Sequence, residues 1–255
     1  MEFAFCAVPV APVRGEAAHR GELVSQLLFG EPVQVLEEAA EWRRIRGLID
    51  GYEGWVTALQ LTATDEALAR LQPAYVCSDP LNPLTGPDGL YNLPMGAFLP
   101  GYDPETRLLW DGEHKYHGLL RDRRDPFDAD LLWRTAHAFR NAPYLWGGKT
   151  VLGVDCSGFV QTVFRLCGIG LLRDAYQQAE QGQPVSSVEE ARFGDLAFFH
   201  NEKGRVTHVG IVLGEGGIIH AAGKVRVDEL RQEGIVRRAD GVQTHPLHSI
   251  RRVLG

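Results

Sequence analysis

The sequence predicts an α+β fold, in which helices pack on an antiparallel sheet, preceded by one or two small β-barrels. In residues 1–62, short segments of alternating apolar and polar residues are separated by frequent glycine turns, a pattern typical of a small barrel. From about residue 127 onward, two segments with helical spacing come before three strand-like segments. Helices followed by strands indicate an α+β domain with an antiparallel sheet.

The N-terminal barrel is expected over residues 1–62. Segments 32–36 and 42–46 alternate apolar and polar side chains, as strands with one buried face do. Segment 51–56 (GYEGWV) is expected to be a further strand, entered through a glycine turn.

Residues 63–125 form the most turn-rich region of the chain, crowded with proline and glycine. A weak likeness to the first barrel extends over 93–99 and the turn at 111–112. We therefore predict either a second, divergent barrel or a linker here. It ends in a charged connector at 121–126, and the main domain is assigned to 126–255.

The main domain is expected to begin with two helices. Apolar residues recur at helical spacing over 130–141, and Pro143 stops that helix. The second amphipathic run covers 156–167 and is closed by Gly168. Strands are expected at 195–200, 206–213 and 217–222.

Composition excludes some classes of function. The chain has 255 residues, of which 44% are hydrophobic and 23% charged, as in ordinary globular proteins. Its net charge of −7 argues against a nucleic-acid partner, since such proteins carry a basic excess. No run of about 18 apolar residues occurs, so no membrane span is expected.

The N-terminal residues do not resemble a signal peptide, because they include Glu2, Pro9 and Pro12 and lack a basic segment. The four cysteines are scattered, with no CxxC pair, which suits a reducing compartment. We therefore expect a cytoplasmic protein, with export as the alternative if the natural chain begins earlier. The cysteines are Cys6, Cys77, Cys156 and Cys167.

Cys156 lies where a loop becomes a helix, and it is the candidate nucleophile. Asp155 can cap that helix, which places Cys156 in the positive first turn, where a lowered thiol pKa is expected. The alternative is a buried structural cysteine. That alternative suits Cys167, on the apolar face, better than Cys156 between the polar Asp155 and Ser157.

Two histidines on successive strands are candidates for a base and its orienting partner. His208 lies within 206–212, and His220 within 218–222. A hairpin through 214–217 brings the two imidazoles side by side on one face. One alternative is that both histidines are core or surface residues without a catalytic role. A second alternative is a zinc site built from the same atoms. The spacing matches no standard zinc motif, so we predict no metal and no cofactor.

Five ordered blocks carry a family resemblance: 144–148 (YLWGG), 155–160 (DCSGFV), 193–196 (FGDL), 207–212 (THVGIV) and 219–221 (IHA). In residues and in order they resemble the NlpC/P60 peptidases. Segments 24–31 and 51–56 resemble the bacterial SH3-like domains that precede this catalytic domain. The resemblance implies a papain-like NlpC/P60 catalytic domain over 126–255 after one or two SH3-like barrels.

The resemblance also implies a reaction and its residues. The chain is similar to the γ-D-glutamyl-L-diamino acid endopeptidases that recycle murein peptides. Cys156 would be the nucleophile, His208 the base and His220 its orienting partner. Tyr144 would stabilise the oxyanion together with the Cys156 backbone N–H. Neighbouring Asp155 and Ser157 are added to the expected oxyanion and substrate contacts.

Substrate selection is implied by three further positions. Asp174 matches an acid that holds the free L-Ala amine of the substrate. Ala175 departs from the serine often found after this acid, which removes one hydrogen bond. Glu22 and Tyr52 match residues of the barrel that close the pocket.

The expected function is hydrolysis of the γ-D-Glu–diamino acid bond of murein peptides with a free N-terminal L-Ala. A related thiol amidase or acyltransferase is one alternative, and a non-catalytic wall-binding protein is another. The expected partner is the murein peptide, with no nucleic acid and no membrane span.

Overall fold

The computed structural model describes residues 2–254. The α-helices are α1 (Glu66–Arg70), α2 (Ala129–Ala138), α3 (Cys156–Leu166) and α4 (Ala175–Gln178), and Ala58–Gln60 forms one 3-10 turn. The first strands are β1 (Phe3–Cys6), β2 (Val10–Arg14), β3 (Leu23–Leu28), β4 (Pro32–Ala39), β5 (Trp42–Gly47), β6 (Glu53–Thr57) and β7 (Leu61–Thr64). Next come β8 (Tyr75–Cys77), β9 (Leu81–Gly86), β10 (Gly89–Pro94), β11 (Lys115–Tyr116), β12 (Leu120–Asp122), β13 (Lys149–Thr150) and β14 (Gly153–Val154). The last are β15 (Gln183–Val185), β16 (Leu196–His200), β17 (Val206–Gly214), β18 (Gly217–Ala222), β19 (Lys224–Arg231), β20 (Gly234–Val236) and β21 (Gln243–Arg252).

The N-terminal strands form one antiparallel sheet in the order β3-β2-β6-β5-β4-β1-β7. Val13, Val33, Ile45 and Val56 meet in the core of this sheet. Burial alternates with the expected period of two in β2 and β6, but β1 is buried along its whole length and β4 is buried only at its start.

The middle of the chain folds into two small sheets, β10-β9-β11 and β12-β8. Their core, which includes Leu84, Leu93 and Tyr116, is completed by Leu28 and Phe29 from the end of β3. This region therefore packs directly on the first barrel. The boundaries at 62 and 125 stay predictions.

The C-terminal sheet runs in the order β15-β21-β16-β17-β18-β19-β20, and β21 also pairs with β20. The six strands β16 to β21 thus close into a ring. Helix α3 packs on β17 and β18, and α2 packs on α3. The expectation of helices on an antiparallel sheet is met in part, because strands dominate and the sheet closes on itself.

The two predicted helices form close to their predicted bounds. Helix α2 ends at Ala138, earlier than expected, because Asn141 takes a positive φ of 68° ahead of Pro143. Helix α3 ends at Leu166, and Gly168 follows with a φ of 80°, the conformation typical of a helix C-terminus. None of the helices in residues 2–254 is long and apolar enough to cross a membrane.

A buried ion cluster joins the N-terminal barrel to the rest of the molecule. Glu31, just after β3, accepts from Lys149 Nζ at 2.9 Å and from Arg165 Nη1 at 2.5 Å. Burial alone would raise the pKa of Glu31, but the charges of Arg165 and Lys149 lower it. The carboxylate is therefore ionised, and its loss would leave two buried cations without a counter-charge.

We predict that Glu31→Gln lowers the free energy of unfolding by about 3–5 kcal/mol, because it breaks a buried ion cluster. Glu53→Gln is the matched control, since Glu53 also faces two arginines, Arg44 and Arg46, but at the surface. That control should change stability by no more than about 1 kcal/mol. Urea denaturation measures both variants, and equal losses would show that burial of the Glu31 cluster contributes nothing extra.

Candidate active site

The cysteine at the start of α3 is held in place by its N-cap. Asp155 accepts the Gly158 N–H at 2.7 Å through Oδ1 and the Gly147 N–H at 2.9 Å through Oδ2. A Cβ on Gly158 would stand 2.2 Å from the Gly148 carbonyl oxygen, so only glycine permits this approach. The loop 147–148 and the first turn of α3 are therefore fixed to each other, with Cys156 between them.

Arg173 anchors this N-cap, and sequence analysis missed it. Its guanidinium donates to Asp155 Oδ1 at 3.1 Å and to Oδ2 at 2.5 Å, and it also donates to Ser157 Oγ at 2.9 Å. Its Nε donates to Ser25 Oγ in β3 at 2.9 Å. Burial lowers the pKa of Arg173, but Asp155 outweighs that effect and raises it. Ser157 is thus a partner of Arg173 and lines the same cleft as Cys156.

The Cys156 thiol lies beside the strand that carries His208. Its Sγ makes a long contact of 3.9 Å with the carbonyl oxygen of Thr207, and the residue is only 5% exposed. Burial, and then the Asp155 carboxylate, raise the pKa of Cys156 to about 12. The expectation of a lowered pKa is wrong for the substrate-free protein, because burial and this carboxylate outweigh the helix dipole.

The two strand histidines meet as expected. His208 Nε2 lies 2.8 Å from His220 Nδ1, across the β17–β18 hairpin. Gly210 is the register partner of His220, and a Cβ there would stand 2.9 Å from the His220 Cβ. Burial lowers the pKa of His208 well below 6.5, and burial likewise lowers that of His220. Both imidazoles are therefore neutral near pH 7, and His208 can accept a proton.

Further side chains surround the histidines, and no motif in the sequence pointed to them. His220 Nε2 lies 3.0 Å from Asp228 Oδ2, which also accepts from Arg226 Nε at 2.7 Å. Although burial raises the pKa of Asp228, hydrogen bonds from His220 and Arg226 lower it strongly. His245 stacks on His208 with ring centroids 4.3 Å apart. In the antiparallel β18–β19 pair, His220 lies opposite Arg226 and Asp228 lies two residues further along β19, so Asp228 is a diagonal neighbour of His220.

Tyr144, half-buried, stands near the nucleophile. Its backbone pairs with Val154, just before the N-cap of α3. Burial, and then the nearby Cys156 and Asp155, raise the pKa of its hydroxyl. Its phenol is therefore protonated at neutral pH and can act as a hydrogen-bond donor.

A cleft of about 470 Å³ opens over the thiol. One wall belongs to the N-terminal barrel, and there Glu22 Oε1 accepts from Trp146 Nε1 at 2.8 Å. The cleft thus brings together Glu22, Tyr52, Asp155, Ser157 and Asp174 from both parts of the chain, whereas Tyr144 is not among its lining residues. Its lining is Glu22, Val24, Tyr52, Trp146, Asp155, Cys156, Ser157, Asp174, Ala175, Tyr176, Asn201, Arg205, Val206 and Thr207.

The charges of the cleft are arranged unevenly. Asp174 is the N-cap of the short helix α4 and also lines the cleft, and its role toward a substrate amine stays a prediction. Burial raises the pKa of Asp174, and burial followed by the Asp174 charge raises the pKa of Tyr52 to about 12. Arg205, which the sequence did not single out, is the basic side chain among the lining residues, and its guanidinium lies 5.9 Å from the Tyr176 ring. The cleft therefore offers carboxylates for a cation and one guanidinium for an anion.

The protein contains no disulfide among the described residues, and all four of its cysteines are free and buried. Within residues 2–254, no group of three or more His, Cys, Asp or Glu side chains is placed to hold a metal ion.

Comparisons with known proteins agree with this fold. The NlpC/P60 family model matches residues 141–244, and the bacterial dipeptidyl-peptidase Sh3 domain model matches residues 13–61. A γ-D-glutamyl-L-lysine dipeptidyl-peptidase of Bacillus subtilis is 31% identical over 214 residues, covering 77% of this chain and 71% of the relative. The dipeptidyl-peptidase 6 of Lysinibacillus sphaericus is 27% identical over 262 residues, covering 91% and 93%.

A solved structure has the same architecture over the whole chain. The crystal structure of an NlpC/P60 family protein from Bacillus cereus matches with a TM-score of 0.82 at 23% identity, covering 99% of this chain and 100% of that one. Fold and site together define a cysteine peptidase with an SH3-like N-terminal domain. The chain belongs to the NlpC/P60 family, which confirms the resemblance and sets aside the non-catalytic alternative.

We predict that Cys156→Ala abolishes peptide hydrolysis and leaves the fold intact, while Cys167→Ala retains activity. Iodoacetamide should label Cys156 first, because the cleft gives a reagent access to it, whereas Cys6, Cys77 and Cys167 do not line that cleft. Because its thiol pKa is raised, the labelling rate should still increase above pH 9.0, the ordinary thiol pKa. Peptide mapping by mass spectrometry measures both. A rate already at its plateau near neutral pH would contradict the raised pKa, and turnover by Cys156→Ala would exclude the nucleophile.

Proposed function

We propose that this protein hydrolyses the γ-D-Glu–diamino acid bond of murein peptides that carry a free N-terminal L-Ala. The observation that carries the proposal is the cleft over Cys156, which Glu22 and Tyr52 of the barrel line together with Asp174. The Bacillus subtilis and Bacillus cereus relatives are named γ-D-glutamyl-L-lysine dipeptidyl-peptidases, which supports this choice of substrate.

The reaction starts from a neutral Cys156 thiol and the neutral imidazole of His208, the residue next to Thr207, which Sγ contacts. The Cys156 sulfur attacks the γ-carbonyl carbon of D-Glu while His208 takes the thiol proton. The tetrahedral intermediate collapses, and the proton on His208 passes to the amine of the diamino acid as the C–N bond breaks. Water, deprotonated by His208, then cleaves the thioester and releases L-Ala-D-Glu with the thiol restored.

The oxyanion of each tetrahedral intermediate needs hydrogen-bond donors. We assign this role to the Cys156 backbone N–H, at the unsatisfied start of α3, and to the Tyr144 hydroxyl, which stays protonated. Asp155 acts indirectly, since its carboxylate is already occupied by Gly158, Gly147 and Arg173. Ser157 Oγ is likewise engaged by Arg173 and supports the first turn of the helix.

Selection of the substrate rests on the acidic end of the cleft. A desolvated ammonium needs carboxylate partners, and Asp174 and Glu22 are the acids that line the cleft beyond the helix cap. The barrel wall with Tyr52 limits the space behind the amine, so a longer or glycan-linked stem is excluded sterically. Arg205 is available for a carboxylate of the same peptide.

We predict that His208→Ala lowers kcat at least as much as His220→Ala, because the base carries the proton while its partner orients it. As pH falls from neutrality, wild-type kcat should stay constant down to pH 6.5 and decline only below it. The neutral imidazole is the active form, and burial lowers the pKa of His208 well below 6.5. His248→Ala, at an exposed histidine of β21, is the control and should leave kcat unchanged. An acid limb centred above 6.5 contradicts this assignment, and rescue of an inactive protein by zinc would favour the metal alternative.

We predict that acetylation of the L-Ala amine lowers kcat/KM about 100-fold, because a charge-assisted hydrogen bond to a desolvated ammonium is lost. Asp174→Asn should slow cleavage of the free peptide strongly and of the acetylated peptide little. Glu202→Gln is the control, since this exposed acid lies next to Asn201 yet outside the lining. Mass analysis of L-Ala-γ-D-Glu-diaminopimelate digests gives the rates.

The proposed ion pair between Asp174 and the L-Ala amine also predicts how selectivity depends on pH. Asp174 must be ionised to bind an ammonium, and its raised pKa means that this form is lost as pH falls through a value above 3.8. Selectivity for the free peptide should therefore decline in acid earlier than for an ordinary aspartate. Comparable cleavage of free and acetylated peptides at all pH values would leave a general wall hydrolase, whose barrel has no part in selection.

A further inference from the structure

The hydrogen bonds behind His208 run in an unbroken line to a buried acid. His208 Nε2 meets His220 Nδ1 at 2.8 Å, and His220 Nε2 meets Asp228 Oδ2 at 3.0 Å. The side chains of His220 and Asp228 are 0% and 3% exposed, so water does not replace either partner. Which atom donates and which accepts in each of these hydrogen bonds is therefore decided by the protein side chains and not by water.

The donor and acceptor roles are set first at Asp228, because both of its carboxylate oxygens accept hydrogen bonds. Oδ2 accepts from Arg226 Nε at 2.7 Å, and Oδ1 accepts from the Arg238 N–H at 3.0 Å. An ionised carboxylate has no proton to give, so the atom facing it, His220 Nε2, must carry the hydrogen. Arg226, Arg237, Asp240 and His245 are further titratable groups that act on this cluster, and His245 is kept neutral because burial lowers its pKa to about 4.

The second imidazole then follows from the first. A neutral imidazole carries one hydrogen, so His220 Nδ1 is a lone pair and can only accept. His208 Nε2 must supply the hydrogen of the 2.8 Å contact, which leaves His208 Nδ1 without one. We propose that Asp228 is a positioning residue that fixes both histidines as Nε2–H tautomers and so makes His208 Nδ1 the atom that takes the Cys156 proton. This inference rests on the proposed role of His208 as the base.

Without Asp228, donor and acceptor can exchange roles in the hydrogen bond between His220 and His208. If His220 carried its hydrogen on Nδ1, it would donate to His208 Nε2, and His208 would hold its hydrogen on Nδ1. The nitrogen that is not bonded to His220 would then be blocked as a base. An aspartate that holds an imidazole in its working tautomer is known to matter greatly in serine peptidases. Here the same duty is passed through one additional histidine.

The direct test is the tautomer of the wild-type protein. ¹⁵N-labelled histidine spectra near pH 7, assigned with His208→Gln and His220→Gln, should show Nε2–H and a bare Nδ1 for both residues. A hydrogen on His208 Nδ1 in the wild-type protein would overturn the proposal. This measurement needs no substrate, so it stands apart from any failure of the proposed peptidase activity.

The variant test is Asp228→Asn, with Glu229→Gln as its matched control. Glu229 follows Asp228 in β19 and is paired with Arg231 at the surface. Asp228→Asn should populate an Nδ1–H signal and lower kcat by about 100-fold or more with KM little changed. Glu229→Gln should alter neither the spectrum nor kcat.

Two results of the variant test count against the proposal. A spectrum with unchanged tautomers would show that Asp228 does not set the direction of the line. Full kcat in Asp228→Asn together with an Nδ1–H signal would show that the tautomer does not matter for the reaction. Circular dichroism checks the fold, and if Asp228→Asn does not fold, the wild-type spectrum alone decides.

Discussion

The buried pair between Asp155 and Arg173 is the interaction on which the rest of the site depends. Two ions removed from water are stable only when good geometry and further hydrogen bonds offset their desolvation. Here both carboxylate oxygens of Asp155 face the guanidinium, and both also accept backbone N–H groups at the start of α3 and in the preceding loop. The position of Cys156 is therefore set by a charge pair, while its helix supplies the backbone N–H beside it.

The same arginine reaches across to the N-terminal barrel. Its Nε bonds Ser25 in β3, and the adjacent Gln26 accepts the backbone N–H of Lys149. A few residues on, Glu31 closes the buried cluster with Lys149 and Arg165. One edge strand of the barrel is thus pinned along the catalytic part of the chain, which brings Glu22 and Val24 to the cleft. The barrel is built into the site, and a shift of β3 would change the nucleophile and the cleft wall together.

How far the sequence predicted the site depends on the distance over which each signal acts. Cys156 at a helix start and His208 and His220 across a short hairpin are set by local geometry, so the pattern of residues was sufficient. Arg173 and Asp228 depend on packing between distant elements and on strand register, which periodicity does not encode. Glu22, Tyr52 and Asp174 were suggested only by the resemblance to the family, since they are far apart in the chain and no local pattern would join them.

The fold shows the same division. The helical spacing of α2 marks its one buried face, whereas α3 was recognised although all of its residues are buried. Burial alternates along β6 as expected but not along β4. Closure of the C-terminal sheet was not anticipated, since it requires β21 to pair with β16 and β20 at once. The middle region was the least predictable, because its short strands complete their core with Leu28 and Phe29 from the barrel. The proline and glycine residues of this region predict its turns, but they do not predict that it packs on the first barrel.

The pKa of Cys156 shows why local reasoning can also mislead. A helix dipole favours a thiolate, but its effect is modest and falls off within one turn, whereas complete burial acts on the full charge. Asp155, required as the cap, adds a negative charge next to the sulfur. The same surroundings lower the pKa of His208, so the uncharged form of both partners is favoured. The Cys156 thiol therefore loses its proton only as its sulfur attacks the carbonyl carbon of the substrate. The tautomers of His220 and His208 then decide whether His208 Nδ1 is free to accept that proton.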